Sequence, residues 1–302
     1  MNRPSRPFLT VGAVLAAAVI VLATGVTIGV IISSDDRAGK PSSQPTTQLD
    51  SADGSDSARR GSATESELAA DFDELQRTLD ADVGLAFSAV GSDQLPTVLG
   101  SWTTGPAWST IKVPLVIAAM RESASHRPSQ AMISAITLSD NDAATEVWEG
   151  LGDPETASSK VETVLRETGD PTVVQSQKVR PEFTAFGQTV WSLTDQLRFI
   201  AAAACDTANT PVLELMEEIT GDQRWGIGEL KDVRFKGGWG PSPEGKYLVR
   251  QFGLIPTASG ISAVAVAVSP ASGSLEDGEA ALTAITRWVR SHEYLLPAAE
   301  CP

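Results

Sequence analysis

The stretch Trp108-Ser109-Thr110-Ile111-Lys112-Val113-Pro114-Leu115 decides how the whole chain is read. Ser109 and Lys112 stand three residues apart, a spacing that puts both side chains on one face of a helix. There an amine can take a hydroxyl's proton and make a weak nucleophile effective. Of the lysines at 40, 112, 160, 178, 231, 236 and 246, only Lys112 has serine at minus three. Taken alone, the tetrad also fits an ordinary helix start, with Ser109 as N-cap and Lys112 solvated in the first turn. Two triplets further along the chain, and their order, separate these possibilities.

Ser139-Asp140-Asn141 lies between two helical patterns, and Lys236-Gly237-Gly238 closes a short strand pattern over Val233 to Lys236. Each triplet also has a plain structural use, the first as a helix-capping turn and the second as a strand end. A Ser-x-x-Lys, then Ser-Asp-Asn, then a Lys-x-Gly triplet, in that order, resembles the class A β-lactamases and penicillin-binding proteins, whose third triplet is Lys-Thr-Gly. Two motifs match fully and the third in part. The resemblance covers roughly residues 65 to 296.

The resemblance implies acyl transfer through a serine ester, and the residue types suit that chemistry. Ser109 would be the nucleophile and Lys112 its base, kept partly uncharged by the apolar run Val113, Leu115, Val116 and Ile117. Ser139 would relay a proton to the leaving nitrogen, and Asn141 can bond both a lysine and a substrate amide. Lys236 would face a substrate carboxylate, with the backbone N–H groups of Ser109 and Trp239 as the oxyanion hole. Gly238 suits a strand along which substrate backbone passes closely. The substrates implied are β-lactams or D-Ala-D-Ala-type peptidoglycan stems, and no cofactor is implied. A non-catalytic cell-wall sensing or binding domain on the same fold is the competing expectation.

Departures from the family pattern bear on substrate and on turnover. Gly237 removes the hydroxyl that would help bind a substrate carboxylate. The interval from Ser109 to Ser139 is shorter than is usual in the family, which predicts a trimmed and more open entrance. No Glu-x-x-Leu-Asn stands between the second and third motifs, so Glu182, in Val179-Arg-Pro-Glu-Phe-Thr-Ala185, is the one candidate for a deacylation base. The segment Phe186 to Leu197, with Arg224-Trp-Gly-Ile227 and Lys-Gly-Gly-Trp239, is similar to a group of actinobacterial β-lactamase-like serine hydrolases.

Periodicity gives the same architecture independently. Leu68, Phe72, Leu75 and Leu79 stripe a first helix behind a capping box, Ser62-Ala-Thr-Glu65. Val83, Leu85, Phe87 and Ala89 alternate as a strand, and Pro96 to Trp102 forms its hairpin partner. Helices are predicted over Ser129 to Thr137, Ala143 to Leu151, Thr156 to Glu167, Leu193 to Ala204 and Pro211 to Thr220. Strands come next at Lys231 to Lys236, Tyr247 to Ile255 and Ile261 to Ser269, then a helix over Glu276 to His292. The expectation is an α+β fold of the β-lactamase/transpeptidase type. A five-stranded antiparallel sheet drawn from both ends of the chain is flanked by N- and C-terminal helices, with an all-helical subdomain inserted and the site at their junction.

Residues 8–32 carry no charge, lie after Arg3 and Arg6, and precede Ser33-Ser-Asp-Asp-Arg37. That length spans a bilayer with residues 1–7 on the cytoplasmic side, and the absence of a clear cleavage site favours a retained anchor over a cleaved signal. Residues 33–63, rich in Ser, Asp, Gly, Thr and Pro, read as a disordered tether. A hydrolase domain over 64–302 would then stand outside the membrane, near peptidoglycan. A net charge of -15 argues against nucleic acid as partner. Six of the seven tryptophans fall in or beside predicted elements, which favours core packing over ligand stacking. His126 and His292 are the only histidines and no Cys/His spacing suits a metal. Cys205 and Cys301 either staple the tail to the helical lobe or stay free, and spacing alone does not choose.

Overall fold

A computed structural model describes residues 66–302 other than Asp93 and His126. The expected capping box at 62–65, the anchor at 8–32 and the tether at 33–63 lie outside the described residues. Among the described residues no helix is long and apolar enough to cross a membrane.

Helix α1 (66–76) buries Leu68 and Phe72, and Phe72 meets Trp288 edge-on at 5.1 Å. Five strands form the main sheet: β1 (Ala81–Ala89), β2 (Thr97–Gly100), β5 (Arg234–Pro241), β6 (Tyr247–Thr257) and β7 (Gly260–Pro270), in the order β2-β1-β7-β6-β5. Every pairing is antiparallel, and β5 is an edge strand. Helix α8 (Leu275–Ser291) packs on one face through Gly278 against Val249. Helix α6 (Leu193–Ala203) covers the other face, where Gln196 meets Arg250. Because both faces are covered, Val83 to Phe87 of β1 is buried without a break instead of alternating.

The inserted lobe consists of α2 (Lys112–Glu122), α3 (Gln130–Thr137), α4 (Asn141–Gly150), α5 (Pro154–Glu167) and α7 (Thr210–Leu215). Helix α2 is buried around most of its circumference, as its apolar run requires. Helix α7 stops earlier than its sequence pattern predicts, because tertiary partners take the next turn's bonds. The Thr220 N–H donates to Thr137 O, and Met216 O accepts from Phe235 N. Strand β5 also differs from expectation. It begins after a turn with Asp232 at φ 54° and runs through both glycines to Pro241, instead of ending at Lys236. A small second sheet, β3 (Thr104–Pro106) with β4 (Val190–Ser192), is not marked by any periodicity.

The C-terminal tail is pinned twice. Ala299 exchanges two backbone hydrogen bonds with Ile261, and Cys301 is disulfide-bonded to Cys205, 96 positions away. Cys301→Ser reopens that loop and is expected to cost about 2–5 kcal/mol in urea unfolding under oxidising conditions. Under reducing conditions the variant and the wild type should unfold together.

Candidate active site

The segment carrying Ser109 is a single 3-10 turn, Trp108–Ile111, that runs into α2. It begins with strain. Trp108 adopts φ 50°, a conformation costing a bulky residue about 1–3 kcal/mol. Its surroundings hold it there. Ala107 N donates to Thr189 O at 2.7 Å, Thr110 Oγ1 donates back to Ala107 O at 2.5 Å, and the indole lies edge-on to Phe183 at 5.0 Å.

Strand β5 passes this turn very closely. A Cβ added at Gly238 would stand 2.8 Å from Ser109 N and 2.9 Å from Thr110 N, while one at Gly240 would sit 2.6 Å from the Trp108 ring. Glycine is required at both positions by space, since neither has a left-handed φ. The close approach at Gly238 is thus made by the chain's own backbone. At Gly237 a Cβ would meet its nearest atom, in Trp239, at 3.4 Å, so that position has room for a side chain.

Two lysines and the Ser139 turn complete the cluster. Lys112 is buried, and its Nζ donates to Ser139 O at 2.6 Å and to Asn141 Oδ1 at 2.7 Å. Lys236, also buried, donates from Nζ to Ser139 Oγ at 2.8 Å and to Gly237 O at 3.0 Å. Ser139 therefore offers its carbonyl to one lysine and its hydroxyl to the other, from a left-handed backbone at φ 55°. Asp140 caps α4 by accepting from Asp142 N and Ala143 N, so the triplet is at once a helix cap and part of the cluster. No carboxylate among the described residues hydrogen-bonds to either lysine.

Burial without an acid partner determines the electrostatics. Desolvation lowers the pKa of Lys112 to about 7, against a smaller opposing pull from Asp140. Desolvation, then the charge of Lys112, pushes Lys236 well below the ordinary lysine range. An amine with a pKa near 7 is uncharged in a large fraction of molecules at neutral pH, as a general base requires. Ser109 is partly buried, and its Oγ makes no hydrogen bond among the described residues.

Glu182 makes no hydrogen bond to this cluster among the described residues. Its carboxylate is surface-exposed and paired with Arg180, whose Nε donates to Oε1 at 3.1 Å. Its own backbone amide and Arg180 hold its pKa below the ordinary range, the opposite of the tuning a base near pH 7 needs. The loop that carries it is anchored by buried Asp170, which accepts from Trp191 Nε1 at 2.7 Å and Thr172 N at 2.8 Å. Beside the turn, an apolar groove of about 620 Å³ is lined by Trp102, Pro106, Trp108, Val190, Tyr247 and Leu248, among others. Trp239 lies edge-on to Trp225 at 5.6 Å, next to Gly237.

The architecture matches known structures across most of their length. A class A β-lactamase from Bacteroides cellulosilyticus superposes with a TM-score of 0.62 at 16% identity, covering 76% of this chain and 97% of that one. The chain has a β-lactamase-like fold. The TLA-1 extended-spectrum β-lactamase superposes at 0.61 with 15% identity over 76% of this chain and 99% of its own. An ancestral class A β-lactamase does so at 0.55 with 16% identity over 74% and 99%. No protein-family model and no curated protein matches the sequence. Within this β-lactamase-like fold, the residues at the lobe junction are Ser109, Lys112, Ser139, Asn141 and Lys236, all five marked by the sequence motifs. Trp108, Gly240 and Arg250, which shape the turn from behind, are not marked by any motif.

Proposed function

We propose that the chain is an extracytoplasmic, membrane-anchored serine hydrolase that forms an acyl-enzyme at Ser109 with β-lactams or D-Ala-D-Ala-type peptidoglycan peptides. The observation that carries this reading is the buried Lys112, with a pKa of about 7 and no acid partner among the described residues, three positions after a serine that follows the strained Trp108 in the same turn. In the proposed reaction, neutral Lys112 takes the Ser109 proton as Oγ attacks the carbonyl carbon. The oxyanion forms at the backbone N–H groups of Ser109 and Trp239. Ser139 then passes a proton, drawn from the lysine pair, to the departing nitrogen as its bond to the carbonyl breaks. Lys236 holds the Ser139 hydroxyl in place beside the leaving group. The anchor at 8–32 and the tether at 33–63 would hold the domain at the cell wall.

A second reading, a non-catalytic cell-wall binding domain, is favoured by one observation. Glu182 stands on the surface in an ion pair with Arg180, and among the described residues no carboxylate hydrogen-bonds to either lysine to activate a deacylating water. The two readings separate in one assay. The hydrolase reading expects hydrolysis of a chromogenic cephalosporin that is lost in Ser109→Ala, slow if release of the acyl group limits it. The binding reading expects no hydrolysis and peptidoglycan binding that Ser109→Ala leaves unchanged.

A further inference from the structure

Arg250 is fully buried, without a counter-ion among the described residues. It lies in β6, and its guanidinium meets only neutral groups. Nη1 donates to Gly105 O at 3.2 Å, Pro106 O at 3.1 Å and Trp191 O at 3.2 Å, and Nη2 donates to Gln196 Oε1 at 2.8 Å. The guanidinium carbon lies 5.2 Å from the Trp102 ring centroid, and Nε has no partner among the described residues. Burying a charge with no opposite charge beside it costs stability, and an apolar side chain of similar volume generally serves a core better. An arrangement this costly calls for a use.

Its place in the fold supplies one. Arg250 is the register partner of Gly238, the residue of β5 pressed against Ser109 N. The carbonyls it grips at 105 and 106 belong to β3, which leads through Ala107 directly into the Trp108–Ser109 turn. Strand β6 is thus joined to the edge strand by the sheet ladder and to the Ser109 turn by one guanidinium. The fork geometry matters, because a planar group with fixed donors fixes the distance and angle of several carbonyls at once.

We infer that Arg250 is a positioning residue that sets the gap between the turn carrying Ser109 and the edge strand carrying Trp239, and so the spacing of the two backbone N–H groups at the oxyanion. The inference rests on the acyl-enzyme reading of Ser109. Arg250 touches no reacting atom and acts through the backbone of β3. Removing it leaves Lys112 and Lys236 with their own partners intact.

The experiment compares wild type, Arg250→Met and Arg250→Lys by three measurements. These are thermal unfolding, the pH profile of Ser109 acylation by benzylpenicillin or an activated acyl ester, and the amide ¹H–¹⁵N resonances of Ser109 and Trp239. Arg250→Met removes an uncompensated charge but leaves Gly105 O, Pro106 O, Trp191 O and Gln196 Oε1 without that donor, so it is expected to fold with a lowered melting temperature. Its acylation should be slower by at least about tenfold with the pH midpoint unchanged, because a small displacement of catalytic groups is costly in rate. Both amide resonances should shift. Arg250→Lys keeps a charge but loses the fork, and is expected to stay slow. Wild-type acylation and unmoved resonances in either folded variant would overturn the inference, and so would failure of both variants to fold, which would assign Arg250 to the fold alone. If no probe acylates wild-type Ser109, the acyl-enzyme reading fails, and the two amide resonances still decide whether Arg250 sets the gap.

Discussion

Replacing Lys112 with methionine is expected to slow acylation of Ser109 by about 10²–10⁴-fold, the range associated with loss of a positioned general base. In wild type the acylation rate should rise with pH through about 7 as Lys112 loses its proton, and the variant should show no such step. Stopped-flow acylation by a chromogenic β-lactam between pH 5 and 9 measures both. Stability should respond as well. The folded pKa of Lys112 lies below its unfolded value of 10.5, so the folded state binds fewer protons between about pH 7 and 10.5. By linkage, stability rises with pH across that window, and the burial penalty is greatest below it. Lys112→Met should show a smaller rise, that left by the depressed pKa of Lys236, and it leaves Ser139 O and Asn141 Oδ1 without their donor. A wild-type stability curve flat from pH 7 to 10 would contradict the assignment.

Gly238→Val is expected to abolish measurable acylation and to destabilise the fold by about 1–3 kcal/mol or more, as overpacking does. The first added carbon already meets Ser109 N at 2.8 Å, Ala107 O at 2.9 Å and Thr110 N at 2.9 Å. All three are backbone atoms, so the side chain cannot be accommodated by a rotamer change. Either the turn or the edge strand must move, and a displacement of about 1 Å costs on the order of 10²-fold in rate. Gly237→Ala is the matched control. Its nearest atoms lie at 3.4–3.8 Å, so urea unfolding and acylation should both stay close to wild type. Equal damage from the two substitutions would show that the strand, not its contact with Ser109, is what matters.

Much of this arrangement is legible in the sequence, for identifiable reasons. The helices and the outer strands announce themselves through apolar spacing, and the sheet's assembly from both chain ends is implied by their order. Lys112 is legible because it opens an apolar run, where a lysine that packs inward has no water. Ser139 and Lys236 are legible only as members of an ordered set, since each triplet alone is an ordinary cap or strand end.

Other features depend on tertiary contacts that local periodicity does not encode. Strand β5 runs past Lys236 because the glycines that look like a strand end are required for its contact with the Ser109 turn. The two three-residue strands at 104–106 and 190–192 are too short to show a period. Glu182 is marked by its interval in the chain, but Arg180 two residues earlier holds it at the surface. Arg250 carries a local signal, a charge inside the apolar run Tyr247-Leu-Val-Arg-Gln-Phe252. That signal marks an inward charge without naming the carbonyls it serves.

The central proposal is that the lysine pair and the strained turn make Ser109 an acylation centre. Intact-mass spectrometry of the domain incubated with a labelled penicillin, an activated acyl ester or a phosphonate, followed over time, tests it most directly. One adduct per chain is expected on Ser109, absent from Ser109→Ala, and decaying slowly after excess penicillin is removed. No adduct from any of the three probes, or an adduct that persists in Ser109→Ala, would contradict it.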